Sequence, residues 1–94
     1  MQINILGIDY EVILTDQISN TQLLAGLIEY QNAKIQLNKD LAPDVLNQTF
    51  IHEVLHGIFD GLGLDEINND EKAVQSIATA LYCTFKDYFT FSFS

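Results

Sequence analysis

His52, Glu53 and His56 stand in the order His-Glu-x-x-His, inside the stretch from Phe50 to Phe59. On a helix, residues four apart lie one above the other on the same face. Two imidazoles so placed can share one tetrahedral Zn²⁺, with bonds of about 2.0–2.1 Å. Glu53, next to the first of them, can reach a water on that ion and act as general base. A chance match is the competing explanation. The chain has only two histidines in 94 residues, and both fall in this motif, which favours the metal.

The motif must sit on a helix, and the surrounding residues supply one. Ala42-Pro43-Asp44 marks a start, because Pro suits the first turn and an acid suits the positive helix end. Gly61 and Gly63 mark the stop. The helix is therefore expected from about residue 43 to about 61. With His52 at zero and about 100° per residue, Ile51, Val54, Leu55, Ile58, Phe59 and Leu62 form a wide apolar stripe. His56, Thr49, Asp60 and Glu53 fall at about 40–100°, on a polar strip at the edge of that stripe. A metal held there would sit in a cleft. Gly57, inside the helix, costs roughly 1 kcal/mol relative to Ala, and close packing beneath the metal is one reason for it.

A second helix is expected from about residue 70 to 88, with Asn69 or Asp70 as cap. The polar run Asp65 to Asn69 connects the two. With Glu71 at zero, Ala73, Val74, Ile77, Ala78, Leu81 and Phe85 form its apolar arc, and Glu71, Tyr82 and Gln75 fall at about 0–40°. If the two arcs pack together, the two polar strips face each other across one cleft.

A catalytic zinc has three protein ligands and one position open to water. The third ligand cannot be a histidine. The longer zincin pattern has a glycine and a third histidine where this chain has Phe59 and Leu62. Cys83 lies at about 120° on the second helix, away from the Glu71 strip. A carboxylate remains. Glu71 is the best placed, with Glu66, Asp70 and Asp60 as weaker alternatives, and Gln75 can orient the site from one turn further on. An acid at a helix N-terminus also favours the dipole without binding anything. Tyr82, on the Glu71 strip, is a candidate electrophile for the tetrahedral intermediate, or else a packing aromatic.

The rest reads as scaffold. Residues 2–14 form a β-hairpin about Gly7, with Tyr10, Val12 and Leu14 on its buried face. Residues 15–20 are a polar loop, and residues 21–25 suit one helical turn. Gly26 to Tyr30 is a strand, Gln31-Asn32 a tight turn, and Lys34 to Asn38 a strand with Ile35 and Leu37 inward. That last strand is expected at the sheet edge, where free backbone groups can pair with an extended peptide. The alternating tail from Phe89 to Phe93 reads as a strand or arm completing the core. The elements together predict a single α+β domain over residues 1–94, a small antiparallel or mixed sheet with an edge strand packed on two long helices.

The formal net charge is −9, with four lysines and no arginine. A nucleic-acid binder needs a positive footprint, so that class is set aside. No apolar run approaches the roughly 18 residues of a membrane span. The N-terminus lacks the basic and long apolar regions of a signal peptide. A lone cysteine, Cys83, permits no internal disulfide and suits a reducing cytoplasm.

A glutamate on a following helix marks the glutamate zincins. The runs Leu24 to Tyr30, Lys34 to Asn38, Gln48 to His56 and Glu71 to Ala78 resemble the ImmA/IrrE-type metallopeptidases. Small members of that family occur in bacteriophages and mobile elements, and the resemblance covers roughly residues 24 to 82. It implies a minimal zinc peptidase in a bacterial or phage-infected cytoplasm, acting on a protein or peptide. It also implies one Zn²⁺ on His52, His56 and Glu71, with Glu53 as the base. Larger relatives carry extra domains for substrate selection that this chain has no length for. Two other readings compete. The domain is a non-catalytic zinc-binding interaction or regulatory module, or it is a latent enzyme whose aromatic tail blocks the cleft.

Overall fold

The computed structural model describes residues 1–18, 25–88, 91 and 93. The expected helical turn at residues 21–25 falls almost wholly outside them. The chain forms β1 (Gln2–Ile5), β2 (Ile8–Thr15), β3 (Gly26–Glu29), β4 (Lys34–Asn38), α1 (Pro43–Gly61), α2 (Asp65–Asn68) and α3 (Glu71–Phe85). This is an α+β fold with a mixed sheet and two long helices.

The sheet order is β1-β2-β4-β3. The β1–β2 hairpin turns at Leu6-Gly7, both at positive φ, and the Asn4 side chain accepts from the Gly7 N–H at 2.9 Å. β4 runs parallel to β2 and antiparallel to β3. The strand expected at the edge is thus internal, and β3 is the edge strand on that side. Ile35 and Leu37 of β4 are fully buried, as a strand covered on both flanks and one face requires. Tyr10 and Val12 are buried as expected. Leu14, expected with them, is exposed near the end of its strand.

α1 has three sides, which its own sequence sets at 100° per residue. At about 140–240° from His52 lie Gly57, Phe50, Val54 and Ile58, facing the sheet. Phe50 belongs to the core of Ile5, Tyr10, Val12, Ile35 and Leu37, and Val54 and Ile58 pack on it. At about 260–340° lie Ile51, Leu55 and Phe59, which pack with Val74, Ala78 and Tyr82 of α3. The remaining side carries the histidines. Gly57 is explained by the sheet, not by the metal. A Cβ there would stand 3.0 Å from Ile5 Cδ1 and 3.1 Å from Ile28 Cδ1.

The connector of residues 65–69 contains a one-turn helix, α2. A turn this short is unstable alone and leaves no readable periodicity. α3 is capped by Asp70, whose side chain accepts from the Ala73 N–H at 3.0 Å. Phe91 and Phe93 of the tail pack edge-on against Phe50, with ring centres 5.0 and 5.3 Å away. Those two rings complete the core on the sheet side of α1, and neither lines the cleft beside the histidines. Among the described residues no helix is long and apolar enough to cross a membrane.

Candidate metal centre

The third side of α1 opens into a cleft of about 810 Å³ between β3 and α3. His52, Glu53 and His56 line it from α1, and Glu71 and Gln75 line it from α3. Glu71 spans both imidazoles. Its Oε1 is 2.8 Å from His56 Nε2, and its Oε2 is 3.1 Å from His52 Nε2. The two Nε2 atoms are 3.2 Å apart. Donors 2.0–2.1 Å from one ion at a tetrahedral angle stand about 3.3 Å from each other. The spacing therefore suits a single ion, and the three groups together can hold one.

The other ring nitrogens set the tautomer. His52 Nδ1 donates to Gln75 Oε1 at 2.8 Å, and His56 Nδ1 donates to Asn68 Oδ1 at 2.6 Å. An amide oxygen only accepts, so each Nδ1 carries a hydrogen and each neutral ring presents its lone pair at Nε2. Two lone pairs and two carboxylate oxygens then converge with no donor among them. Such a cluster is repulsive until a cation or added protons occupy its centre. Gln75 is held in turn by Thr79, to which its Nε2 donates at 3.2 Å. Asn68 Nδ2 donates to the Tyr30 hydroxyl at 3.3 Å.

Glu53 stands beside the cluster without joining it. It is only 7% exposed, yet it lines the cleft. Burial raises its carboxyl pKa above the ordinary value, the nearby histidines pull it back, and the Glu71 charge raises it further. The raised value keeps Glu53 basic enough to take up a proton nearer neutrality than a surface carboxylate would.

Of the residues expected at the site, the structure brings together His52, Glu53, His56, Glu71 and Gln75. Tyr82 is not among them. It is buried in the α1–α3 interface, and its hydroxyl donates to Asp44 in the first turn of α1. A helical wheel gives angle and discards height. Tyr82 shares the Glu71 strip but lies about 16 Å along the axis from it at 1.5 Å per residue. The buried residues Val74, Ala78 and Tyr82 also show that α3 is turned by about 70° from its expected apolar arc. That rotation buries Tyr82 and swings Glu71 and Gln75 over the histidines.

Two cleft residues went unforeseen. Asn68 sits on α2, whose turn was not legible. Tyr30 follows the edge strand and supplies a phenolic hydroxyl to this network, with its pKa raised by burial foremost. Its oxygen accepts from Asn68, which leaves its own hydrogen to donate elsewhere. No family model matches the chain, and no curated protein or solved structure matches it either.

Proposed function

We propose that this chain is a zinc-dependent peptidase, with His52, His56 and Glu71 as ligands and Glu53 as general base. The observation that carries the reading is the meeting of three ligand groups within 4.8 Å, with a buried carboxylate beside them and an open cleft in front. Two imidazoles and a carboxylate form a donor set that suits catalytic zinc. When bound, zinc lowers the pKa of a ligated water to about 7 and polarises a carbonyl oxygen. Glu53 takes a proton from the attacking water and returns it to the leaving amine as the C–N bond breaks. Tyr30 donates its hydroxyl hydrogen to the oxygen of the tetrahedral intermediate.

The substrate side also favours a peptide. Among the described residues β3 pairs with β4 alone, and its residues from Gly26 to Ile28 line the cleft. An extended peptide can add to that edge as a further strand. An exposed free thiol at Cys83 suits a reducing compartment such as the cytoplasm.

The test is a zinc titration of metal-free protein coupled to cleavage of a peptide library. One equivalent should bind, cleavage should appear only then, and chelation should abolish it. Failure to bind zinc would sink the reading, and binding without cleavage of any peptide would leave the non-catalytic module.

Asn68 and Gln75 give a finer check. Replacing either with Ala frees an imidazole to rotate and should weaken zinc binding by about 10–100-fold. Competition with a chromogenic chelator measures this, and circular dichroism confirms that the helices persist. Unchanged affinity in both variants would mean that neither contact orients its ligand.

A further inference from the structure

The charges around the cleft say which peptides it takes, given the peptidase reading. Glu53, Asp60, Asp65 and Glu71 all line it, and no Lys does; the chain has no Arg. Of the four lysines, Lys39 is occupied by Asp16 at 3.7 Å. A divalent cation would cancel two of the four carboxylate charges and leave the cleft negative.

These carboxylates are not equivalent. Glu71 is engaged by the imidazoles. Glu53 is buried to more than nine-tenths, and it makes none of the hydrogen bonds that tie the rest of the cluster together. Asp60 lies one turn past His56 on the same strip of α1, and Asp65 opens α2. Both are exposed. Asp60 acts electrostatically on Tyr30, and Asp65 shares the single turn of α2 with Asn68, so both acids lie toward the Tyr30 end of the cleft. Asn68, bonded to Tyr30, closes that end. A strand along the cleft wall, a buried carboxylate facing the cleft and two exposed acids at one end together describe a seat for an extended, positively charged chain.

We infer that the cleft selects peptides bearing a lysine or arginine near the scissile bond, held by Asp60 and Asp65. Fixed like charges repel an acidic residue at that position as strongly as they attract a basic one. The cleft is only partly shielded from water, so the selection is salt-sensitive.

Two peptides differing only by Lys or Glu at one position test this, with zinc-loaded Glu53→Gln protein for binding and wild-type protein for cleavage. At low salt the Lys peptide should bind about 10–100-fold more tightly, and the gap should shrink as salt rises. Asp60→Asn with Asp65→Asn should reduce the preference to about threefold or less, with zinc affinity kept. The same charge change away from the cleft, Asp40→Asn with Asp87→Asn, should leave it intact. Equal binding of the two peptides, or a preference that survives the cleft double variant, overturns the inference. Cleavage without charge preference would overturn it and keep the peptidase. Charge-selective binding with no cleavage by wild-type protein would do the reverse.

Discussion

Glu53→Gln should lower peptide hydrolysis by about 10²–10⁴-fold and leave zinc binding in place. The substitution keeps the shape of the side chain and removes its basicity. Glu53 is outside the group of atoms that can hold the ion, so the ligand set is unchanged. The pH dependence follows from the role of Glu53 as base, which needs its carboxylate ionised. The wild-type rate should fall as acid protonates Glu53. The residual rate of the variant should lack this limb. A variant that cleaves at full rate would remove Glu53 from the mechanism.

The same substitution has a stability consequence of definite sign. Burial raises the Glu53 pKa in the metal-free folded state above its unfolded value. Below the unfolded pKa the group is protonated in both states and costs nothing. As pH rises through the folded pKa, the folded state must carry a buried charge, and stability is lost. Metal-free Glu53→Gln should therefore melt above wild type at pH 7 and converge on it near pH 4. A lower melting point for the variant at pH 7 would show that the charged form is held by favourable contacts. Higher stability with lost hydrolysis is the pattern of a residue kept for function.

How much of this was legible depends on how local each feature is. The helix around His52 and His56 shows in the sequence because its start at Pro43, its stop near Gly61 and its apolar stripe are all neighbours in the chain. Glu71 was reachable from its angle on the second helix, because a group at the N-terminus of α3 can meet a motif late in α1 across a short connector. Tyr82 failed by the same method, since angle without rise cannot tell the first turn from the fourth. β4 was misplaced for another reason. Its period-two pattern shows which face is buried, but its parallel pairing with β2 joins residues such as Val12 and Ile35, and nothing local encodes that. Asn68 depends on both problems. It lies on a single turn and gains its meaning only from contacts with His56 and Tyr30.

Saturating zinc should stabilise the wild-type fold strongly, and Glu71→Ala should remove most of that gain. A ligand at 100 times its Kd adds about 2.7 kcal/mol. At roughly 4–8 °C per kcal/mol for a domain of this size, the melting point should rise by about 10–20 °C. The metal-free variant should melt close to metal-free wild type. Removing an exposed acid from the first turn of α3 forfeits a dipole interaction of under about 1 kcal/mol, and it also relieves the crowding of acceptors at the two Nε2 atoms. Differential scanning calorimetry with and without zinc reads both effects. An equal zinc shift in wild type and variant would exclude Glu71 as a ligand, and no shift in wild type would exclude the metal. Asp70→Ala is the converse control. Asp70 spends its side chain on the Ala73 N–H, so its loss should cost about 1 kcal/mol of metal-free stability and leave the zinc shift standing. Adjacent acids at one helix start would then separate cleanly, Asp70 holding the helix and Glu71 holding the ion.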